Sequence, residues 1–291
     1  MRPPRHRHAS SLRRRLAPLA LVLAVPWGLG GLVWFLEKSL IYYPDKILEA
    51  TPAEYDLAYE DVFFPAPDGM ELHGWWIPAK GGGAGRPVIL WMHGNAGNIS
   101  HRLHNARLLH DRLDVTLFLF DYREYGLSQG EVSEEGTYTD AEGAEASVQG
   151  RPEVGADRLI YFGRSIGAAV AVELATRRAP AARILESPMT SIPAMARAIF
   201  PWLPVRSLLS TKYDSMAKIG TIHLPLLVLH GTADEIVPFA QGQELFEAAN
   251  EPKRFYAIDG ARHNDTYFVG GEAYFRVWAT FLEDLRKRGG R

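Results

Sequence analysis

Short apolar runs alternate with amphipathic segments along most of the chain. Two runs at 59–64 and 71–77 flank the turn signal Pro67-Asp68-Gly69 and predict an antiparallel hairpin. Further strands are predicted at 88–93, 115–121, 159–162, 183–185, 226–230 and 254–258. Helical patterns lie between them at 100–112, 135–149, 166–178, 239–250 and 273–287. This alternation predicts an α/β fold with a mostly parallel sheet and helices on both faces.

Residues 187–220 interrupt the alternation, because they insert between two predicted strands and are rich in Pro, Met, Phe and Trp. They are too apolar for a solvated loop and too often interrupted by proline for one long helix. We therefore predict a small helical cap over the carboxyl ends of the strands, where open α/β sheets bind ligands. Apolar side chains of this cap are candidate substrate-binding residues: Met189, Ile192, Phe200 and Trp202.

Residues 16–36 contain no charged side chain and follow a basic tail, residues 1–15, that holds six arginines. At ~1.5 Å per residue a helix over 16–36 would be ~31 Å long, about the thickness of the hydrocarbon core of a bilayer. This pattern predicts a transmembrane anchor, with 37–291 as the folded domain. The alternatives are a cleaved signal peptide, although no convincing Ala-x-Ala site follows the run, and a buried core helix. The arginines favour a cytoplasmic N-terminus and place the domain on the outer side of the cell membrane.

The composition, with 47% hydrophobic and 23% charged residues, is that of a folded globular protein. The absence of cysteine excludes a disulfide framework, a cysteine nucleophile and a thiolate zinc site. Without the six N-terminal arginines, 26 Lys and Arg stand against 34 Asp and Glu, so residues 37–291 carry a net charge of −8. A domain this acidic is a poor binder of polyanions, and we expect no nucleic-acid partner.

The most informative motif is Gly163-Arg164-Ser165-Ile166-Gly167, which joins a predicted strand to a helical pattern of small residues. A Gly-x-Ser-x-Gly sequence in this context is typical of a nucleophile elbow, a sharp turn that presents a serine at a helix N-terminus. The glycines leave room beside the serine, and the helix N-terminus favours negative charge. Ser165 is therefore the candidate nucleophile.

A serine hydroxyl needs a base, usually histidine, and an acid that orients this base. In folds with this elbow, the acid follows the serine along the chain and the histidine follows the acid. Asp234 lies in a turn just after the strand at 226–230, and His263 lies in the loop after the last strand. We predict that Ser165 attacks, His263 carries the proton and Asp234 orients the imidazole. Glu235 is an alternative acid, and His230 within the strand pattern is interpreted as a core histidine.

The oxyanion that forms during attack needs two preorganised donors. One is expected to be the backbone N–H of Ile166, the residue after the nucleophile. The segment from His93 to Asn98, rich in glycine, follows a predicted strand, and the backbone amide of Asn95 is the candidate second donor. His101 and His104 could share a metal, but no carboxylate follows at a useful spacing, so we favour a solvated helix face and expect no metal.

Five motifs follow one another along the chain: His93-Gly-Asn-Ala-Gly-Asn98, Asp121-Tyr-Arg, Gly163-Arg-Ser-Ile-Gly167, Gly231-Thr-Ala-Asp234 and Gly260-Ala-Arg-His263-Asn264. In this order they resemble the motifs of the α/β-hydrolase superfamily, in particular its membrane-anchored branch related to serine aminopeptidase-like hydrolases and abhydrolase-domain membrane proteins. The resemblance runs from about residue 41 to 285 and implies an α/β-hydrolase fold and a serine hydrolase without a cofactor. Glu124 stands where that branch usually has glycine. Its carboxylate is expected either to discourage anionic substrates or to pair with Arg123.

These residues predict a membrane-anchored hydrolase that cleaves small acyl esters or thioesters through an acyl-enzyme intermediate. An aminopeptidase or amidase of the same fold is an alternative, for which Glu124 or Asp265 would have to hold the free amine. A non-catalytic adaptor that kept the fold is a second alternative. It is disfavoured because Ser165, Asp234 and His263 are all present. The fold alone cannot choose among substrates.

Overall fold

A computed structural model describes residues 37–82, 85–199 and 209–289. The strands are β1 (Tyr43–Pro44), β2 (Glu60–Pro65), β3 (Glu71–Ile77), β4 (Val88–Met92), β5 (Ala96–Gly97), β6 (Thr116–Phe120), β7 (Leu159–Arg164), β8 (Ala182–Glu186), β9 (Leu226–Gly231) and β10 (Lys253–Ile258). The α-helices of the described residues include α1 (Leu103–Leu113), α2 (Glu134–Gln149), α3 (Ile166–Arg177), α4 (Ile192–Ile199), α5 (Met216–Ile219), α6 (Phe239–Ala248) and α7 (Thr266–Gly289). Residues 37–41 are also helical, and 3-10 turns occupy Pro52–Tyr55, Ile99–Arg102 and Ala156–Arg158.

The main sheet has eight strands in the order β10-β9-β8-β7-β4-β6-β3-β2. Strand β3 runs antiparallel to both of its neighbours, β2 and β6, and the other pairs are parallel. The prediction of a mostly parallel sheet led by a hairpin is therefore confirmed. Because parallel strands end at one edge of a sheet, the loops after β4, β7, β9 and β10 share that edge.

Both faces of the sheet are covered, as the continuous apolar runs indicate. In β4, the side chains of Val88, Leu90 and Met92 join one core with α2, α3 and α6. Ile89 and Trp91 point to the opposite core, which contains residues of α1 and α7. The period of two along a strand buried on both faces explains why the run lacks polar positions.

Several predicted boundaries need correction. The segment predicted as a helix from 100 to 112 begins as the 3-10 turn Ile99–Arg102 and becomes α-helical at Leu103. The last helix begins at Thr266 rather than at 273, and it is broken at Gly271, where φ is 47° and ψ is −137°. The pairing of β1 with β5 is a two-residue contact that the sequence pattern did not predict.

The described parts of the predicted cap, 187–199 and 209–220, contain helices α4 and α5. The backbone and hydroxyl of Thr190 bond to the side chain of Gln241 in α6, at 3.1 and 3.0 Å. The basic tail 1–15 and the predicted anchor 16–36 lie outside the described residues. Among the helices that the structure describes, none combines the length and the apolar character needed to cross a bilayer.

Candidate active site

Ser165 lies in a sharp turn between β7 and α3, as the Gly-x-Ser-x-Gly motif predicts. Its backbone φ of 56° and ψ of −120° are unfavourable for a residue with a side chain. The flanking glycines permit this turn: a Cβ on Gly163 would lie 2.2 Å from the carbonyl oxygen of Gly167, and one on Gly167 would lie 2.0 Å from that of Met92. The chain therefore holds Ser165 in a strained conformation by close backbone packing.

The two predicted oxyanion donors belong to segments next to Ser165. Ile166 is the first residue of α3, so its N–H belongs to the first turn, whose donors have no partner within the helix. The loop after β4 passes close to Ser165, since a Cβ built on Gly94 would lie 3.6 Å from the Cβ of Ser165. Asn95 follows Gly94 in this loop, so the structure brings both predicted donor residues to the surroundings of Ser165.

Asp234 and His263 are in direct contact. The Nδ1 of His263 lies 2.8 Å from Oδ2 and 3.0 Å from Oδ1 of Asp234, and the two side chains are almost completely buried. The Asp234 turn and the His263 loop meet because Gly231 has no side chain. A Cβ there would lie 2.2 Å from the carbonyl oxygen of Ala261, which accepts a 3.0 Å bond from Ala233 N–H.

Several donors keep the Asp234 carboxylate ionised. Burial acts to raise its pKa, but hydrogen bonds from His230 and His263 and from the backbone N–H of Val237 outweigh burial and lower the pKa well below the ordinary value. The backbone bonds from Ile236 and Val237 measure 3.0 and 2.8 Å. A carboxylate that remains ionised beside Nδ1 fixes the tautomer in which Nε2 can accept a proton.

The structure distinguishes Asp234 from the alternative acid. Glu235 accepts a 3.2 Å bond from the backbone N–H of His263, so it contacts the loop rather than the ring. His230 is a buried core histidine, as predicted, and its Nε2 lies 3.0 Å from the carbonyl oxygen of Val237. The same nitrogen is 3.4 Å from Asp234 Oδ2, a contact that the sequence pattern did not indicate.

A buried ion pair beneath Ser165 was missed by the sequence analysis. The Nε of Arg164 lies 3.2 Å from Oε1 of Glu186, at the end of β8. Another nitrogen of the same guanidinium donates to the backbone carbonyl of His263. The Glu186 carboxylate also accepts 2.6 Å bonds from the hydroxyls of Thr266 and Tyr274. Ser165, the end of β8 and the His263 loop are thereby joined through one charged group.

The expected pairing of Glu124 with Arg123 is wrong. Arg123 binds Asp140 and Asp68, with Nη2 distances of 2.7 and 2.9 Å. Glu124 instead lies 2.9 Å from the Lys38 ammonium and accepts a 2.8 Å bond from the N–H of Val132. Its φ of 73° explains the glycine that is usual here in the resembling branch, because glycine adopts that conformation without strain.

The structure describes two of the four predicted substrate-binding residues. Met189 is buried in the same apolar core as Ile166, and Ile192 is partly buried against that core. Phe200 and Trp202 lie outside the described residues. Met189 and Ile192 thus lie in or against the core that contains Ile166, and the role of the cap in substrate binding stays a prediction.

The structure places His101 and His104 against different partners. His101 Nδ1 accepts a 3.0 Å bond from the N–H of Asn98, while His104 Nδ1 lies 3.3 Å from the hydroxyl of Tyr267. His101 instead groups with Asp45 and Glu49, whose ligand atoms lie within 4.8 Å of one another and of His101. The bond from Asn98 already uses one ring nitrogen of His101, and the three side chains are exposed or only partly buried.

Comparisons with known proteins agree with this architecture. A family model described as serine aminopeptidase, S33, matches residues 205–266. An uncharacterized protein of Mycobacterium tuberculosis is 40% identical over 276 residues, which are 95% of this chain and 98% of that protein. The alpha/beta hydrolase domain-containing protein WAV2 of Arabidopsis thaliana is 35% identical, over 90% of this chain and 94% of that protein. An esterase structure from Pyrococcus furiosus superposes with a TM-score of 0.68 at 21% identity, covering 84% of this chain and 98% of that one, which shows a shared fold.

Proposed function

The chain belongs to the α/β-hydrolase superfamily, and from that premise we propose that it is a serine hydrolase of carboxylic esters or thioesters. Ser165 is the nucleophile, His263 the general base and acid, and Asp234 the orienting carboxylate. The observation that carries the proposal is the 2.8 Å contact between Asp234 and His263. The backbone carbonyl of His263 also accepts a bond from Arg164, the residue before Ser165.

In the first half-reaction, Ser165 Oγ bonds to the acyl carbon while His263 Nε2 takes the hydroxyl proton. The carbonyl oxygen becomes an oxyanion, and we assign the N–H groups of Ile166 and Asn95 as its donors. Collapse of this intermediate breaks the bond to the alcohol or thiol, which leaves with the proton from His263. The acyl group then remains on Ser165 as an ester.

In the second half-reaction, water attacks that ester. His263 takes a proton from the water, and the same donors stabilise the second oxyanion. The carboxylic acid leaves when Ser165 Oγ recovers the proton from His263. Asp234 remains ionised throughout, because its hydrogen bonds lower its pKa.

The match to the serine aminopeptidase model makes peptide or amide hydrolysis the second candidate. An aminopeptidase needs a free carboxylate for the substrate amine. Glu124 is paired with Lys38, and Asp265 Oδ1 accepts a 2.7 Å bond from the N–H of Arg262. Lys38 neutralises Glu124, whereas Asp265 keeps acceptor sites, so of these two carboxylates an amine would have to bind at Asp265. We therefore place ester or thioester hydrolysis first.

We further propose that residues 16–36 anchor the enzyme in the cell membrane, with the N-terminus cytoplasmic and the domain on the outer side. The segment that follows the predicted anchor has exposed apolar side chains, which supports this proposal: Leu40 is 69% exposed and Ile47 is 71% exposed. Tyr43 between them is also exposed, and tyrosine is common at membrane interfaces. Protease treatment of intact cells is expected to digest the domain; protection of the domain would contradict this orientation.

The activity is tested with matched p-nitrophenyl esters, acyl thioesters and aminoacyl arylamides on the full chain. We expect hydrolysis of esters and thioesters, with kcat reduced ~10⁴–10⁶-fold by Ser165→Ala or His263→Ala. Faster turnover of the arylamides would support the aminopeptidase instead. Wild-type rates in both variants would show that the activity does not use this site.

A further inference from the structure

The segment that follows the predicted anchor packs directly on the loop that carries the proposed oxyanion donor. We name residues 41–49 the strap. Strands β1 and β5 pair in parallel, with Tyr43 beside Ala96 and Pro44 beside Gly97. The N–H of Tyr43 donates a 3.0 Å bond to the carbonyl of Asn95. The strap therefore contacts the very residue whose backbone N–H is assigned to the oxyanion.

Two asparagine side chains of the loop reinforce this contact. The amide of Asn95 donates a 2.8 Å bond to the carbonyl of Ile41. The amide of Asn98, which is completely buried, donates to the carbonyls of Asp45 at 3.2 Å and Ile47 at 2.6 Å. The two side-chain amides therefore bond to three strap carbonyls and hold the loop against the strap.

The conformation of Asn95 is fixed from a third direction. Its carbonyl accepts a 2.7 Å bond from the hydroxyl of Tyr125 in addition to the bond from the strap. These contacts use the carbonyl and the side chain of Asn95, and they leave its backbone N–H for a ligand. Gly94 and Gly97 flank this position, and Gly97 has a φ of +76°. A loop with two glycines has many accessible conformations unless other groups restrain it.

We propose that the strap is a positioning element of the active site, which holds the Asn95 N–H in the orientation that binds the oxyanion. This inference rests on the proposed function. Preorganised donors stabilise a transition state because they need no reorganisation during the reaction.

The test is Asn98→Asp in the full chain. The variant removes the two N–H donors to the strap but keeps the oxygen that accepts bonds from the N–H and hydroxyl of Ser100, at 2.9 and 2.6 Å. The matched control is Asn250→Asp, because Asn250 donates to two carbonyls in the same way, those of Gly220 at 2.7 Å and Ile222 at 3.2 Å. Both variants lose bonds to two backbone carbonyls, but Asn98 is buried and Asn250 is only partly buried. The kcat values are therefore compared at a temperature well below the Tm of either variant.

We expect Asn98→Asp to reduce kcat for an ester at least about tenfold, with KM changed less than about twofold, since the oxyanion forms only after substrate binds. The control, Asn250→Asp, is expected to keep the wild-type kcat even if its Tm falls by as much as that of Asn98→Asp. Unchanged kcat in Asn98→Asp, or an equal loss of kcat in the two variants, would overturn the inference.

A second pair decides the matter if Asn98→Asp does not fold. Tyr43→Pro removes the strap N–H that bonds to the Asn95 carbonyl, and it should lower kcat without raising KM. Its control is Tyr43→Phe, which keeps that N–H and loses the 3.1 Å bond from the hydroxyl to the carbonyl of Leu40. Equal kcat in this pair would also overturn the inference. In Asn98→Asp and Tyr43→Pro, Ser165 should still react with a fluorophosphonate, only more slowly. No reaction in the wild type would instead mean that the proposed function has failed.

Discussion

The guanidinium of Arg164 donates a hydrogen bond to the backbone carbonyl of His263, so the residue before the proposed nucleophile holds the loop of the proposed base. Arg164 is buried and is oriented by Glu186 at 3.2 Å. Glu186 in turn binds Thr266 and Tyr274, both in α7. The backbone of His263 is thereby bound to the residue before Ser165 through a charged group.

Arg164→Met is expected to lower kcat by about tenfold to hundredfold, because a loop displaced by about 1 Å misplaces the imidazole. The variant also leaves the Glu186 carboxylate buried without its cation, and breaking such a pair costs about 3–5 kcal/mol in the free energy of unfolding. Steady-state kinetics and chemical denaturation measure the two effects.

The double variant Arg164→Met/Glu186→Gln separates these effects. Neutral glutamine removes the unpaired charge, so most of the stability should return while kcat stays low. If kcat recovers together with stability, Arg164 is structural and does not position His263.

Gly163→Ala and Gly167→Ala are each expected to destabilise the protein by about 3 kcal/mol or more, because the added methyl would overlap backbone atoms that cannot move. The added Cβ would lie 2.2 Å from the carbonyl oxygen of Gly167 in the first variant and 2.0 Å from that of Met92 in the second. Gly94→Ala is the control, since its methyl would make ordinary contacts at 3.6 Å. Thermal denaturation of the three variants tests this order, and an equal loss of Tm in all three would contradict it.

Asp234→Asn is expected to reduce kcat by about 10⁴-fold, because the amide favours the wrong imidazole tautomer. Glu235→Gln should have a small effect, since Glu235 bonds only to the backbone of His263. Rates measured with one ester at saturating concentration decide between the two acids. A larger loss in Glu235→Gln would reverse the assignment.

The pH dependence of stability follows from the lowered pKa of Asp234. Burial opposes ionisation, but the bonds from His230 and His263 outweigh it, so the pKa is lower in the folded than in the unfolded chain. A depressed carboxyl pKa stabilises the folded state above the unfolded pKa of about 3.9, and this contribution is lost as the pH falls further.

The difference in free energy of unfolding between the wild type and Asp234→Asn should therefore not shrink between neutral pH and about pH 5, and it should shrink below about pH 4. Urea denaturation at several pH values measures this difference. A gap that closes above pH 5 would show that Asp234 is not held ionised as described.

The sheet and the acid–imidazole contact could be predicted from the sequence because their signals are local. Every position of β4 is apolar, which predicts a buried strand. The motif Gly163-Arg-Ser-Ile-Gly167 predicts a sharp turn between a strand and a helix. Asp234 and His263 each follow a predicted strand, so the shared edge of a parallel sheet brings them together.

The remaining contacts depend on the tertiary structure. Arg164 and Glu186 lie on neighbouring strands, and nothing in their local sequence indicates a buried pair. Glu124 pairs with Lys38, far away in the sequence, although Arg123 adjoins it. The helical pattern alone also did not predict that α7 begins before the break at Gly271.

The central claim is that Ser165 is the group that bonds to the acyl carbon. It is tested most directly by mass spectrometry of the full chain after treatment with a fluorophosphonate. We expect one adduct, located by peptide mapping at Ser165 and absent from both Ser165→Ala and heat-unfolded protein. His263→Ala should label far more slowly than Glu235→Gln. An adduct on another residue, or wild-type labelling in Ser165→Ala, would contradict the assignment.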